Sequence, residues 1–148
     1  MQVTIPANVK EIIAKRGLKE SDVMDVVNTA IETKHYLVKG NDALAKKVIG
    51  DLTTYVMLDM SGGNVVVKSA YAHKMKLGKI VNVMGETDWK CTNNGHAIAS
   101  GHVEIEYMTV KRNGPALICP ACNEAWVEEY LATKTLAAAE GLFEQKRA

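Results

Sequence analysis

The chain reads as an α+β protein: N-terminal helices and a β-hairpin form a first module, followed by a ribbon of short strands pinned at one end and a C-terminal helix. Three observations predict this. Apolar residues recur at helical spacing near the N-terminus, β-branched runs flank Ser61-Gly62-Gly63-Asn64, and three cysteines sit among short alternating segments in the last part of the chain. At 148 residues the chain has the length of one ordinary domain, or of two very small ones sharing an interface.

Pro6 pre-sets a helical first turn, Val9, Ile12 and Ile13 mark one face, and Gly17 suits a helix stop, so the first helix spans about residues 6 to 16. Ser21 is a good N-cap for a second helix, with Asp22 in the first turn. Val23, Val26, Val27, Ala30 and Ile31 then form an apolar stripe. Gly40-Asn41-Asp42 reads as a linker. The segment Leu44 to Met60, β-rich around Thr53 to Leu58, and the strand opening at Val65-Val66-Val67 give two antiparallel strands around the Ser-Gly-Gly-Asn turn. Gly78 or Gly85 marks a change of module, which places an α/β module over 1–82 and a ribbon with C-terminal helix over 83–148. In the second module Val103, Ile105 and Tyr107 alternate as a strand. From about Val127 to Lys146, Ala132, Leu136, Ala139 and Phe143 share a helical face, although Gly141 weakens that helix.

Lys and Arg number 18 against 17 Asp and Glu, a net charge of +1, so the global basic field of a nucleic-acid binder is missing. The sequence has no run of about 18 apolar residues and no signal-peptide pattern at its start, which predicts a cytoplasmic protein without membrane attachment. An odd cysteine count argues against a secreted disulfide framework; in a reducing compartment the pair in Cys119-Pro120-Ala121-Cys122 means metal or redox chemistry.

Zinc takes four tetrahedral ligands, commonly thiolate and imidazole, and a pair spaced by two to four residues lets one turn supply two of them. Cys119 and Cys122 form such a pair. Cys91 with His96 forms the other, which predicts one structural zinc held by Cys91, His96, Cys119 and Cys122, with His102 competing as the fourth ligand. Asn94 stands where a regular Cys-x-x-Cys knuckle would place its second cysteine. Iron in the same ribbon is the alternative metal, and a dithiol at Cys119 and Cys122 is the alternative chemistry. His73 reads as an ordinary surface or interface histidine. His35, after the second helix, reads as a helix-terminus residue, and Glu104 with Glu106 as a solvated strand edge. No paired carboxylates, Ser-His-Asp arrangement or glycine-rich phosphate loop stands out, so no catalytic residue is assigned.

From Trp89 onward, Trp89-x-Cys91, the strand ending at Tyr107, Cys119-Pro120-x-Cys122 and the helix with Leu131-Ala132, Glu140 and Leu142 to Lys146 resemble a family of small bacterial zinc-ribbon (rubredoxin-like), redox-associated proteins. Members of that family pair a Trp-x-Cys-x-x-Cys knuckle with Cys-Pro-x-Cys-Gly and tend to accompany oxidoreductases or other multi-subunit enzymes of anaerobic metabolism. Here Asn94 replaces one cysteine, Asn123 replaces the knuckle glycine, and the ending is Glu144-Gln145-Lys146. The lost thiolate argues against direct electron transfer and leaves the scaffold intact. In size and in its zinc knuckle the chain is also similar to the small γ-type subunits of ATP-dependent ketone carboxylases. These resemblances imply a zinc-binding, non-catalytic accessory subunit of a larger cytoplasmic metabolic enzyme, of oxidoreductase or carboxylase type, docking through its first module and C-terminal helix as part of a hetero-oligomer. The reading from a different class is a small redox carrier or thiol oxidoreductase using Cys119 and Cys122 or an iron centre.

Overall fold

The computed structural model describes residues 2–93, 95–137 and 139–142. Pro6 leads into α1 (Ala7–Lys15), and the chain turns at Gly17 with φ 71°, a conformation that glycine adopts without strain. α2 (Glu20–Thr33) carries Glu20 and Asp22 in its first turn, where acids suit the helix dipole, and stops at a left-handed Lys34. Nine strands follow or flank these helices: β1 (Val3–Thr4), β2 (Leu37–Lys39), β3 (Asp42–Ile49), β4 (Leu52–Asp59), β5 (Val65–His73), β6 (Lys76–Cys91), β7 (Ala97–Tyr107), β8 (Val110–Cys119) and β9 (Glu124–Trp126). They join in one mixed sheet of order β1-β5-β4-β3-β2-β6-β7-β8-β9, antiparallel except for the β1–β5 pair.

This corrects the expected architecture of helices, a hairpin and a separate zinc ribbon. The α+β arrangement in two modules gives way to a single nine-stranded sheet with few helices. Three local readings account for the difference. Gly40-Asn41 is a tight turn rather than a linker, joining β2 to β3 with Lys39 opposite Asp42. Gly78 and Gly85 fall within register shifts of β6 against β7, between Leu77 and Ile80 and between Val83 and Glu86. They are bulge glycines inside a continuous strand, so the expected boundary near residue 82 lies in mid-strand. β7 is paired along its length to β6 and to β8, which makes the second half a set of long ladders instead of a ribbon of short strands. Glu104 and Glu106 accordingly stand on an interior strand rather than a sheet edge.

Alternation along β3 and β4 splits the core in two. Ala43, Ala45, Val56 and Leu58 face Val9, Ile13, Val23, Val26 and Val27 of the helices, while Leu44 and Tyr55 face the opposite side. In β5 a register shift puts Lys68 in excess opposite Met57 and Leu58. Val65, Val67 and Ala70 thereby pack towards the helices, and Tyr71 and His73 turn to the other core. There Tyr55 and Tyr71 stack with centroids 4.9 Å apart, and Tyr71 Oη donates to Val127 O at 2.7 Å. The helical turns at 129–137 and 139–142 close over this core through Leu131, Ala132 and Leu136, with Leu131–Leu136 wound as a π-helix. Phe143 to Lys146, which the sequence places in that helix, lie outside the described residues. Arg16 ties the two sides together, donating to Ala70 O at 2.8 Å and pairing with Glu129 at 3.0 Å.

His73 is no surface residue. It is 1 % exposed, with Nδ1 2.7 Å from Met75 O and Nε2 3.0 Å from Tyr55 Oη, and burial lowers its pKa to about 4. The imidazole is therefore a neutral core group at physiological pH.

Candidate metal centre

The seam between the two halves of the sheet is narrow. β2 meets β6 only through Leu37 opposite Cys91 and Val38 opposite Lys90. The turn after Cys91 is stitched to the end of α2 next to that seam: Thr92 Oγ1 donates to Lys34 O at 2.7 Å and accepts from Tyr36 N at 2.9 Å, and Thr92 N donates to Tyr36 O at 3.0 Å. His35 lies between the two stitched residues and is thereby held beside Cys91. The turn closes on itself through Gly95 N to Cys91 O at 2.7 Å and Cys91 N to His96 O at 3.0 Å.

Cys119 and Cys122 come from the β8–β9 turn, which places them across the seam from β2. Asn123 takes φ 58° there, which asparagine tolerates better than most residues and which a knuckle glycine would otherwise supply. Cys122 N donates to Cys119 Sγ at 3.4 Å, and Asn93 Nδ2 lies 3.6 Å from Cys122 Sγ. Donors aimed at sulfur favour the thiolate that a metal requires.

His35, Cys91 and Cys122 present ligand atoms all within 4.8 Å of one another, a group that could hold a metal ion. Cys91 and Cys122 Sγ are 3.7 Å apart. Two sulfurs bound tetrahedrally to one zinc at ≈ 2.3 Å stand roughly 3.8 Å apart, so this spacing suits a shared ion. Cys119 is fully buried and interacts with Cys91, although it stands outside that tightest group. Burial pushes the Cys91 thiol up to about 11, and its neighbours Cys122 and Cys119 push the same way. Without a metal, Cys91 is a protonated thiol and a poor nucleophile.

Of the residues singled out in the sequence, the three cysteines meet at this place. His96 is exposed and stands outside the converging group, with its carbonyl engaged by Cys91 N. His102 belongs to the β6–β7 ladder, where its Nδ1 is 3.0 Å from Asn82 Oδ1. Asn94 lies outside the described residues. The imidazole that joins the thiols is His35, which the sequence reading assigned to a helix terminus. Local spacing could not reveal it, because it precedes Cys91 by the whole of β2 to β6.

The fit of a metal rests on an unmet need of the protein itself: His35 Nε2 is buried without a hydrogen-bond partner. Glu124 Oε2 stands 3.5 Å away, an ion-pair distance that makes no hydrogen bond to it. Glu124 also lies 3.7 Å from Lys46 Nζ, which donates to Ala125 O at 2.7 Å and sits 4.5 Å above the Trp126 ring. Desolvation lowers the Lys46 pKa and the Glu124 carboxylate opposes that shift. Trp126 itself meets His35 edge-on at 6.1 Å. A carboxylate and an indole thus flank the His35 ring, and Lys46 contacts both of them, as outer groups around metal-binding histidines do.

Residues 87–146 match a family described as a domain of unknown function, DUF7479. The matched span holds Cys91, Cys119 and Cys122, whereas His35 lies before it. No curated protein and no solved structure matches the chain. Among the described residues, no helix is long and apolar enough to cross a membrane.

Proposed function

We propose that this chain binds one structural zinc ion through Cys91, Cys119, Cys122 and His35, and that it serves as a non-catalytic accessory subunit of a larger cytoplasmic enzyme. The observation that carries the metal reading is the convergence of a half-buried imidazole, its buried Nε2 without a hydrogen bond, with thiols 3.7 Å apart, contributed by three segments distant in sequence. Three sulfurs and one nitrogen fill a tetrahedron, and a filled tetrahedron stabilises a fold instead of activating water. A soft thiolate set with one imidazole favours zinc over the oxygen-seeking cations. The accessory role rests on the closed character of this site and on the single, modest-sized sheet around it. The partners proposed are larger subunits of oxidoreductase or carboxylase type.

Metal analysis of the purified chain tests the first half of the reading. One zinc per chain is expected for the wild type and for His96→Ala, with loss of zinc in His35→Ala. Retention in His35→Ala with loss in His96→Ala would return the fourth position to His96. Purification of the native protein under mild anaerobic conditions tests the second half: large enzyme subunits should accompany it, and a partnerless protein would defeat the accessory role.

A further inference from the structure

We propose that the open side of β6 pairs with the same side of a second copy of this chain, giving an antiparallel, two-fold symmetric dimer. β6 is laddered to β7 on one side, but its other side meets β2 only at Lys90 and Cys91. Among the described residues, the stretch from Lys76 to Trp89 pairs with no strand on that side, and Lys76 and Leu77 border a cavity shared with the β3–β4 turn. An unladdered strand is a template for another strand. Its middle is apolar and in water: Val81, Val83 and Met84 are 42 %, 49 % and 66 % exposed. Scattered apolar side chains at a surface are ordinary, whereas a contiguous group marks a contact. Register shifts such as those of β6 curl an edge and commonly discourage pairing, and this apolar centre argues the opposite way.

The charge order of the strand selects the occupant. Lys76 and Lys79 stand near the start of the open stretch, and Glu86 and Asp88 near its end. An antiparallel copy brings unlike charges together, while a parallel copy stacks like on like. A two-fold axis normal to the sheet must cross at a residue facing its own copy, because neighbours in a strand point to opposite faces. With the axis at Asn82, Val81 faces Val83 and Ile80 faces Met84 next to the axis, and beyond the register shifts the basic start of each strand, with Lys76, runs beside the acidic end of the other, with Asp88. Moving the axis to Val81 sets Ile80 against Asn82, and moving it to Val83 sets Ile80 against Glu86. The register at Asn82 matches both charge and hydrophobicity.

Sedimentation velocity on the full chain over a range of concentrations tests this, with circular dichroism confirming that each variant folds. The wild type should be a concentration-dependent dimer and Val83→Lys a monomer. Lys76→Glu alone and Asp88→Lys alone should each weaken the dimer by about tenfold, since symmetry repeats every change, and the double variant should recover it. A monomeric wild type overturns the proposal, as does a dimer indifferent to Val83→Lys and to the charge exchange. The metal plays no part in this contact, so the outcome stands apart from the zinc reading.

Discussion

Around β3, β4 and β5 the sheet is packed on both faces: helices cover one through aliphatic side chains, and the Tyr55–Tyr71 core fills the other. Around β6 the situation reverses. Most of that strand is exposed, and it joins β2 through two residue pairs only. Long ladders hold β3, β4 and β5 together. Between β2 and β6, where strand pairing is thin, three thiols and an imidazole gather, with Cys91 and Cys119 inside the core that also holds Leu37, Trp89 and Trp126. The comparison teaches that the cysteine site lies where the two halves share the fewest strand pairings, inside the apolar core that spans them, so that a bound ion would pin the halves where their backbones are least joined.

If the proposed zinc is bound, removing it should have the largest effect on this division of labour. Cys119→Ser, or treatment with a strong chelator, should release zinc and cost on the order of 10 kcal/mol of apparent stability. Thermal unfolding with and without chelator measures it, and unchanged metal content in Cys119→Ser would remove the site assignment. Truncation in the well-packed region provides the contrast. Leu58→Ala, at 1 % exposure against the helices, should cost about 4 kcal/mol and leave the zinc stoichiometry intact, as read by denaturant titration and metal analysis. Loss of zinc in that variant would show the two regions to be less independent than their packing indicates.

A smaller effect comes from acid. Because His73 titrates near 4 when folded and near 6.5 when unfolded, its stabilising contribution is present above about pH 6.5 and is lost as pH falls towards 4. The loss should reach roughly 3 kcal/mol, and the difference in stability between wild type and His73→Gln across that window isolates it from thiol protonation. Smallest is Tyr71→Phe, which strips the buried Val127 carbonyl of its donor and should cost about 1–2 kcal/mol with zinc retained. A neutral result would mean that stacking on Tyr55 carries that contact by itself.

Much of the helix-covered region was legible in the residues. The spacing of Val23, Val26, Val27 and Ala30 and the turn at Ser61 to Asn64 are local signals, and α2 and the β4–β5 hairpin follow them. The β-rich reading of Leu44 to Met60 did not separate β3 from β4, because Lys46 and Lys47 interrupt the apolar pattern of β3, although each has a structural partner: Lys46 lies over Trp126 and Lys47 pairs with Asp25. β6 escaped because glycines that accommodate bulges look the same in sequence as glycines that separate modules. For the site, the three cysteines announce themselves by type and spacing. His35 does not, since its place beside Cys91 is set by the β2–β6 pairing and the Thr92 stitch, both non-local.

The wide separation of these side chains along the chain also orders events in time. During synthesis His35 emerges with α2, long before the last thiol, and more than half of the sequence separates it from Cys122. Helices and the first strands can collapse together while the ribosome is still making β6. Capture of an ion by the proposed set of four would have to wait until β9 is reached, so the site would record that the sheet has closed across its seam.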